Sequence, residues 1–324
     1  MTFVPATHMQ RKSKKRTARG VLGAAFMCVF LLVLFFKNSE ATATWVSKGL
    51  HLCATKLIPS LFPFMVVSSL MVSSGAGEAV FKIFERPVSA LFGVGRACCS
   101  PIMLGWLCGF PIGARCASEL YRNGQISKGE LTRIVCISGT PSPAFLIGAV
   151  GAGMLGEARL GIWLYVTSIL SCVAVGVFLK LTSKDVDVFE TNSKKIPSPR
   201  QGFARSLTFA VTDSAKGMLY VCGFVVFFSA FLGALEGALS FTEIDSRASS
   251  LLFSFFEMTS GLSSISRMSG NIFPLCALAS GWSGLSVQLQ TVSMCHASGL
   301  KLFPCTLSHA AKALLCYLLA LAIR

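Results

Sequence analysis

Residues 134–155 read IVCISGTPSPAFLIGAVGAGML, 22 residues without a charge. As a helix, that length crosses a hydrocarbon core about 30 Å thick. Yet Gly139-Thr140-Pro141-Ser142-Pro143 falls inside it, and each proline removes a backbone donor and obstructs the preceding turn. Lipid cannot satisfy backbone groups freed in this way, so protein or a water-filled cavity must receive them. The stretch therefore predicts a membrane helix broken within a protein interior.

Its neighbours repeat the pattern. Residues 97–113 carry Pro101, Gly105, Gly109 and Pro111, and residues 57–74 carry Pro59 and Pro63. Further apolar stretches lie at 161–181, 216–235, 250–266, 272–294 and 303–323. Ahead of them, Gly20 to Phe36 is uncharged and follows six cations within residues 1–19. That combination reads as a signal-anchor helix with a cytoplasmic N-terminus, and Ala41-Thr42-Ala43 leaves a cleaved signal peptide as the alternative. Ser127-Lys128-Gly129-Glu130 matches a capping box opening a helix, against a chance match in a loop.

Composition agrees. The chain is 53% hydrophobic and 13% charged, with a mean hydropathy of +0.67, whereas soluble domains carry about 25% charge. Disorder is excluded because it needs low hydrophobicity. The net charge of +15 would suggest nucleic acid in a soluble chain, but here it is scattered over loops and reads as positive-inside bias. Most of the thirteen cysteines sit in apolar runs, as small buried hydrophobes do. No C-x-x-C is present and His8, His51, His296 and His309 are far apart. Neither a metal nor another cofactor is implied. There is no H-E-x-x-H, G-x-S-x-G or P-loop, so an enzyme is not expected.

The fold expected is an all-α polytopic membrane protein. A basic tail (1–19) and one helix (20–36) precede two repeats at 45–181 and 206–324, joined by a polar linker at 182–205. If 97–113 and 250–266 are re-entrant hairpins and the other segments cross, nineteen Lys/Arg fall on the cytoplasmic side and seven outside. The cytoplasmic parts are then 1–19, 75–133, 182–205 and 295–301. Units 57–181 and 216–323 enter the membrane from opposite sides, the inverted-repeat plan of secondary transporters. Each unit has an aromatic-rich helix, a Gly-containing hairpin with one charge, and a long helix interrupted by small residues. Accidental likeness among apolar, Gly-rich segments is the competing account.

Several segments carry a family resemblance. They are Leu61-Phe62-Pro63-Phe64, Gly109-Phe110-Pro111-Ile112-Gly113-Ala114-Arg115 with Glu119-Leu120-Tyr121, and Ser142-Pro143-Ala144-Phe145-Leu146-Ile147-Gly148. With Glu257-Met258-Thr259-Ser260-Gly261 and Gly284-Leu285-Ser286-Val287-Gln288-Leu289-Gln290, they resemble the YlbJ-type sporulation integral membrane proteins. That group lies within the wider nucleoside-recognition, or Gate-domain, family. The chain departs from the pattern at Arg115, where Lys is usual, at Gly139-Thr140, where an Asn pair is common, and at Ser283, where a second Gly is common. The resemblance implies a multipass protein of the bacterial cytoplasmic membrane, acting in sporulation at the membrane around the forespore. It also implies movement of dipicolinate, a pyridine dicarboxylate, from mother cell toward forespore.

Ionisable residues inside apolar segments usually face a cavity or a partner. A guanidinium fork suits a carboxylate, so Arg115 is a candidate ligand, or else an anchor at the membrane surface. Glu257 reads as a proton-coupling carboxylate, a partner of Arg115 or Lys312, or a polar residue near the outer surface. His309 and Lys312 share one helix face, and Lys312 is expected to meet Glu257 or substrate unless its helix starts later. Asp213 and Lys216 read as interfacial rather than functional. Uncharged candidates are Gly109, Gly113, Thr140, Ser142, Gly284, Thr259, Ser286, Gln288 and Gln290. At the breaks, half-helix N-termini favour an anion, whereas packing explains any single glycine equally well. Gln288 and Gln290 are two apart, so only one should face a site.

The expected function is a transporter or permease for a small anionic or heterocyclic solute, with a membrane scaffold or assembly protein of the spore envelope as the alternative. The bilayer and such a solute are the expected partners. Proton or sodium coupling and a homo-oligomer are compatible with the pattern, and nucleic acid is not.

Overall fold

The computed structural model describes residues 18–74, 76–182, 202–239, 246–295 and 299–323. The expected basic tail and most of the polar linker lie outside them. Every regular element among the described residues is helical. Helix α1 (Ala18–Lys37) is followed by α2 (Ser39–Leu52), a π-helical turn (Cys53–Leu57) and α3 (Ile58–Ser73). These last three form one apolar rod, Ser39–Met71. The rod begins well before the apolar stretch at 57–74, in a region whose Lys48, His51 and Lys56 mask it in sequence. The π turn immediately precedes Pro59, where an ordinary helix would lose a donor.

A surface segment follows: α4 (Ala76–Phe81), a 3₁₀ turn and α5 (Glu85–Phe92), with Gly93 closing α5 in the left-handed conformation. Then come α6 (Cys99–Cys108), α7 (Ile112–Arg122), α8 (Lys128–Ser138), a π helix (Ala144–Ala152) and α9 (Ala158–Thr182). The second half holds α10 (Phe203–Leu239), α11 (Ser246–Phe256), α12 (Met258–Ile265), α13 (Phe273–Trp282), α14 (Gly284–Met294) and α15 (Leu302–Ala322). Four rods are long and apolar enough to cross a membrane, or five if one bent pair counts as a single span. They are Ser39–Met71, α9, α10 within Phe203–Ala238, and α15.

The first rod and α10 pack along their lengths in opposite directions. Asn38 meets Gly237, Trp45 meets Gly233, Gly49 meets Ser229, Met65 meets Gly217, and Ser69 bonds Asp213. Partner numbers fall as rod numbers rise, which defines an antiparallel pair. Glycines at 49 and 233 let the backbones approach where a Cβ would strike Ser229 or Trp45.

The ends of the first-half elements gather at one corner. Ser127 caps α8 in a complete capping box with Glu130, as its sequence pattern predicts. The same Glu130 carboxylate accepts from Gly95 N at 2.7 Å and faces the Cys98 thiol at 3.6 Å. Arg133 donates to Phe92 O, Gly93 O and Leu179 O at 2.9, 2.7 and 3.4 Å. Lys180 donates to Ala90 O. Thus α5, the start of α6, the start of α8 and the end of α9 share one end of the molecule. Since α7 reaches α8 through the short loop 123–127, the α6–α7 hairpin leaves and returns at that end. Its legs of 10 and 11 residues span only about 15 Å each.

Four interruptions expected from sequence are present. Gly109 (φ 76) and the cis Phe110–Pro111 bond separate α6 from α7. Residues 139–143 separate α8 from the π helix, Glu257 separates α11 from α12, and Ser283 and Gly284 separate α13 from α14. The breaks meet in pairs. A Cβ on Gly109 would lie 2.6 Å from Ser142 N, and one on Gly284 would lie 2.8 Å from Met258 N. In each half, the hairpin break rests on the break of the following long helix.

Candidate functional site

The sequence candidates separate into three places. The first is the buried meeting of the breaks in the first half. The Lys312 ammonium, 2% exposed, donates to the Gly139 carbonyl that ends α8. Beside it, the His309 ring lies 5.9 Å from that of Phe110, and His309 Nδ1 has no partner among the described residues. Thr140 and Ser142 are buried here, and the Ser142 hydroxyl accepts from Phe145 N at 3.2 Å. Gly113 packs its backbone against Ser138 and Gly105, which is the packing role.

The second place is the matching break in the other half. Glu257 is 1% exposed and forms the N-cap of α12, accepting from Thr259 N at 2.9 Å and from Ser260 N at 2.5 Å. Those two amides are orphan donors of the first turn, which a carboxylate suits by hydrogen bonding and by the helix dipole. The expected meeting of Lys312 with Glu257 is therefore not made, because each is satisfied by backbone at a different break. Trp282 closes this region, donating to Phe255 O at 2.9 Å and stacking on the Phe255 ring. Ser286, Gln288 and Gln290 on α14 are all buried. Gln288 turns back to donate to Trp282 O at 3.1 Å. Ser286 Oγ, Gln288 Oε1 and Gln290 Nε2 have no partner among the described residues, a costly state unless water or a ligand satisfies them.

The third place is open. Between α3, α7, α10 and α14 lies a cavity of about 110 Å³ whose lining includes Ser68, Ser69, Arg115, Glu119, Ser214 and Met294. It adjoins a wider one of about 400 Å³ whose lining includes Arg115, Ser118, Arg122, Asp213, Lys216 and Tyr220. Arg115 is common to both, and its guanidinium pairs with the Asp213 carboxylate. Their side chains are 35% and 19% exposed. Ser69 donates to Asp213 Oδ2 at 3.1 Å, and the buried Ser214 hydroxyl has no partner among the described residues. Three cations against one acid leave the wider space net positive. Met294 continues the α14 stripe of Ser286 and Gln290 at four-residue spacing, so the unpartnered amide of Gln290 lies one turn from this cavity.

Arg115 is thus a cavity residue, whereas Lys312 and Glu257 are not among its lining residues. Arg122, Ser69 and Ser214 are the additions that the sequence reading did not single out, and Asp213 and Lys216, read there as interfacial rather than functional, also border this space. Asp213 and Lys216 carried a signal: they stand one turn apart inside a 37-residue apolar helix in which the remaining acid is Glu236.

Helical rods long and apolar enough to span a bilayer, with broken helices meeting between them, define a multi-pass integral membrane protein. Over 312 residues the chain is 26% identical to the sporulation integral membrane protein YlbJ of Bacillus subtilis (strain 168), and the match takes in 85% of this chain and 76% of that protein. The chain is YlbJ-like in sequence, consistent with a sporulation membrane protein. No protein-family model matches it. No solved structure matches it either.

Proposed function

We propose that this chain is a membrane carrier for a small anionic solute, and that the solute is dipicolinate, moved across the membrane around the forespore during sporulation. The observation that carries the reading is the net-positive space at Arg115, Arg122 and Lys216, set between α7, α10 and α14; the narrower space it adjoins is lined by Arg115 and Glu119. An arginine fork with adjoining hydroxyls suits a carboxylate. Arg122 offers charge for a second one.

The architecture supports transport over a purely scaffolding role. Two antiparallel rods open the two halves, each followed by a half-length hairpin whose break rests on a broken long helix. We read this as a pair of inverted repeats with re-entrant hairpins, the plan in which backbone is broken only where it lines a pathway. On that reading the corner formed by α5, α8 and α9 is cytoplasmic, in keeping with the basic loops there.

The test is uptake of labelled dipicolinate into proteoliposomes under imposed proton or sodium gradients. The expected outcome is saturable uptake by the wild type, lost in Arg115→Ala. No uptake above empty liposomes by folded, inserted protein, under gradients of either sign, refutes the assignment of this solute and favours the scaffold.

A further inference from the structure

The Arg115 seat is already filled by a carboxylate, and that carboxylate belongs to the protein. Asp213 takes the Arg115 guanidinium and the Ser69 hydroxyl. This is the set of contacts that the carboxylate of a solute would need. Beside it the Ser214 hydroxyl, 1% exposed, has no partner among the described residues, so the seat offers a hydrogen bond that Asp213 does not take up. One turn along α10 from Asp213, Lys216 borders the same cavity and lies on the same helix face.

We propose that Asp213 is a built-in competitor for the anion seat, and that an arriving carboxylate displaces it from Arg115 and Ser69 toward Lys216. The exchange is charge-balanced: Arg115 trades one carboxylate for another, and the released carboxylate finds a second cation rather than standing unpaired in a partly buried site. Arg115 belongs to the α6–α7 hairpin and Asp213 to the rod that opens the second half. Filling the seat therefore undoes an ion pair that ties the two halves together, and emptying it restores the tie. The inference rests on the proposed carrier function and adds to it the element that joins solute arrival to movement.

A protein occupying its own seat lowers the apparent affinity for solute by the fraction of time the seat is free, so an occupancy of nine-tenths weakens binding about tenfold. The experiment uses the full chain in detergent and titrates dipicolinate by calorimetry into wild type, Asp213→Asn, Lys216→Gln and the double variant. Asn keeps the shape and one acceptor oxygen, and so removes the competing charge alone. The expected result is that Asp213→Asn binds about tenfold tighter while its turnover in proteoliposomes falls, because the tie no longer re-forms. Lys216→Gln should weaken binding in wild type and do so much less in the Asp213→Asn background, a coupling read from the cycle. Binding by Asp213→Asn that is no tighter than wild type, or an Lys216→Gln effect equal in both backgrounds, overturns the proposal.

A second measurement does not depend on the solute being right. Genetically encoded spin labels at the exposed positions Asn123 and Leu219 report the α7–α10 distance, with acetate as the carboxylate probe and chloride at equal ionic strength as the control. Acetate should lengthen the distance in wild type, and Asp213→Asn should show the lengthened distance without acetate. An Asp213→Asn distance equal to that of unliganded wild type overturns the exchange. Should dipicolinate bind none of the proteins while acetate still moves the wild type, the choice of solute fails and the exchange stands.

Discussion

Glu257 offers a sharp division between structure and coupling. Its carboxylate accepts two backbone amides at the start of α12 while 1% exposed. In Glu257→Gln one oxygen still accepts, but the amide nitrogen is turned toward the second N–H and leaves it unsatisfied. An unmade buried hydrogen bond costs about 1–3 kcal/mol, and losing the charge at a helix N-terminus adds about 0.3–1 kcal/mol. The sum, roughly 1–4 kcal/mol, should lower the unfolding midpoint in detergent by several degrees. Asp is among the preferred N-cap residues, so Glu257→Asp should recover most of that loss. The assay is thermal unfolding followed by size-exclusion of the surviving fraction, run beside uptake. A Glu257→Gln protein as stable as wild type but unable to transport would refute the cap as the residue's role and return it to proton coupling.

Three further outcomes follow from the geometry. Gly109→Ala combines a glycine-only backbone conformation (φ 76, ψ −167) with a Cβ placed 2.6 Å from Ser142 N, and should destabilise by more than the roughly 1–3 kcal/mol of the backbone strain alone, read as loss of folded protein after detergent extraction. Arg133→Ala removes donors from Phe92 O, Gly93 O and Leu179 O; a cost of about 3 kcal/mol or more should open the corner to limited proteolysis near residues 92–95 before the rest of the molecule unfolds. Lys312→Met removes a buried ammonium but also takes the donor from the Gly139 carbonyl, and an unmade buried hydrogen bond costs about 1–3 kcal/mol. Its unfolding midpoint in detergent should therefore fall by a few degrees, and loss of uptake at a temperature where the variant stays folded would mark Lys312 as functional rather than structural.

What the sequence disclosed and what it hid have physical causes. The breaks at Gly109-Phe110-Pro111 and Thr140-Pro141-Ser142-Pro143 were legible because proline and glycine act on their own backbone, whatever surrounds them. The cap of α8 was legible for the same reason, since Ser127 and Glu130 satisfy each other within one turn. The start of the first rod was not, because Lys48, His51 and Lys56 lower the hydropathy of a stretch that is nonetheless continuous helix. The partners of Arg115 and Lys312 were hidden for a different reason. Pairing across more than fifty residues depends on how the rods cross, and a charge in an apolar run announces only that it needs a partner. Arg115 found its own on the other half of the chain and Lys312 at the end of α8, whereas the partners of Glu257 were local, two and three residues away, and were missed because nothing in the sequence marks 257 as a helix start.

The paired breaks bear on how such a chain tolerates mutation. The space beside Gly109 is closed by the backbone of Ser142, and that beside Gly284 by the backbone of Met258. A side chain that crowds another side chain can be accommodated by trimming the neighbour, so most tight positions admit second-site repair. A main-chain nitrogen has nothing to trim. At these two glycines a substitution has no compensating partner anywhere in the sequence, and a genetic screen for suppressors should return reversion of the glycine itself.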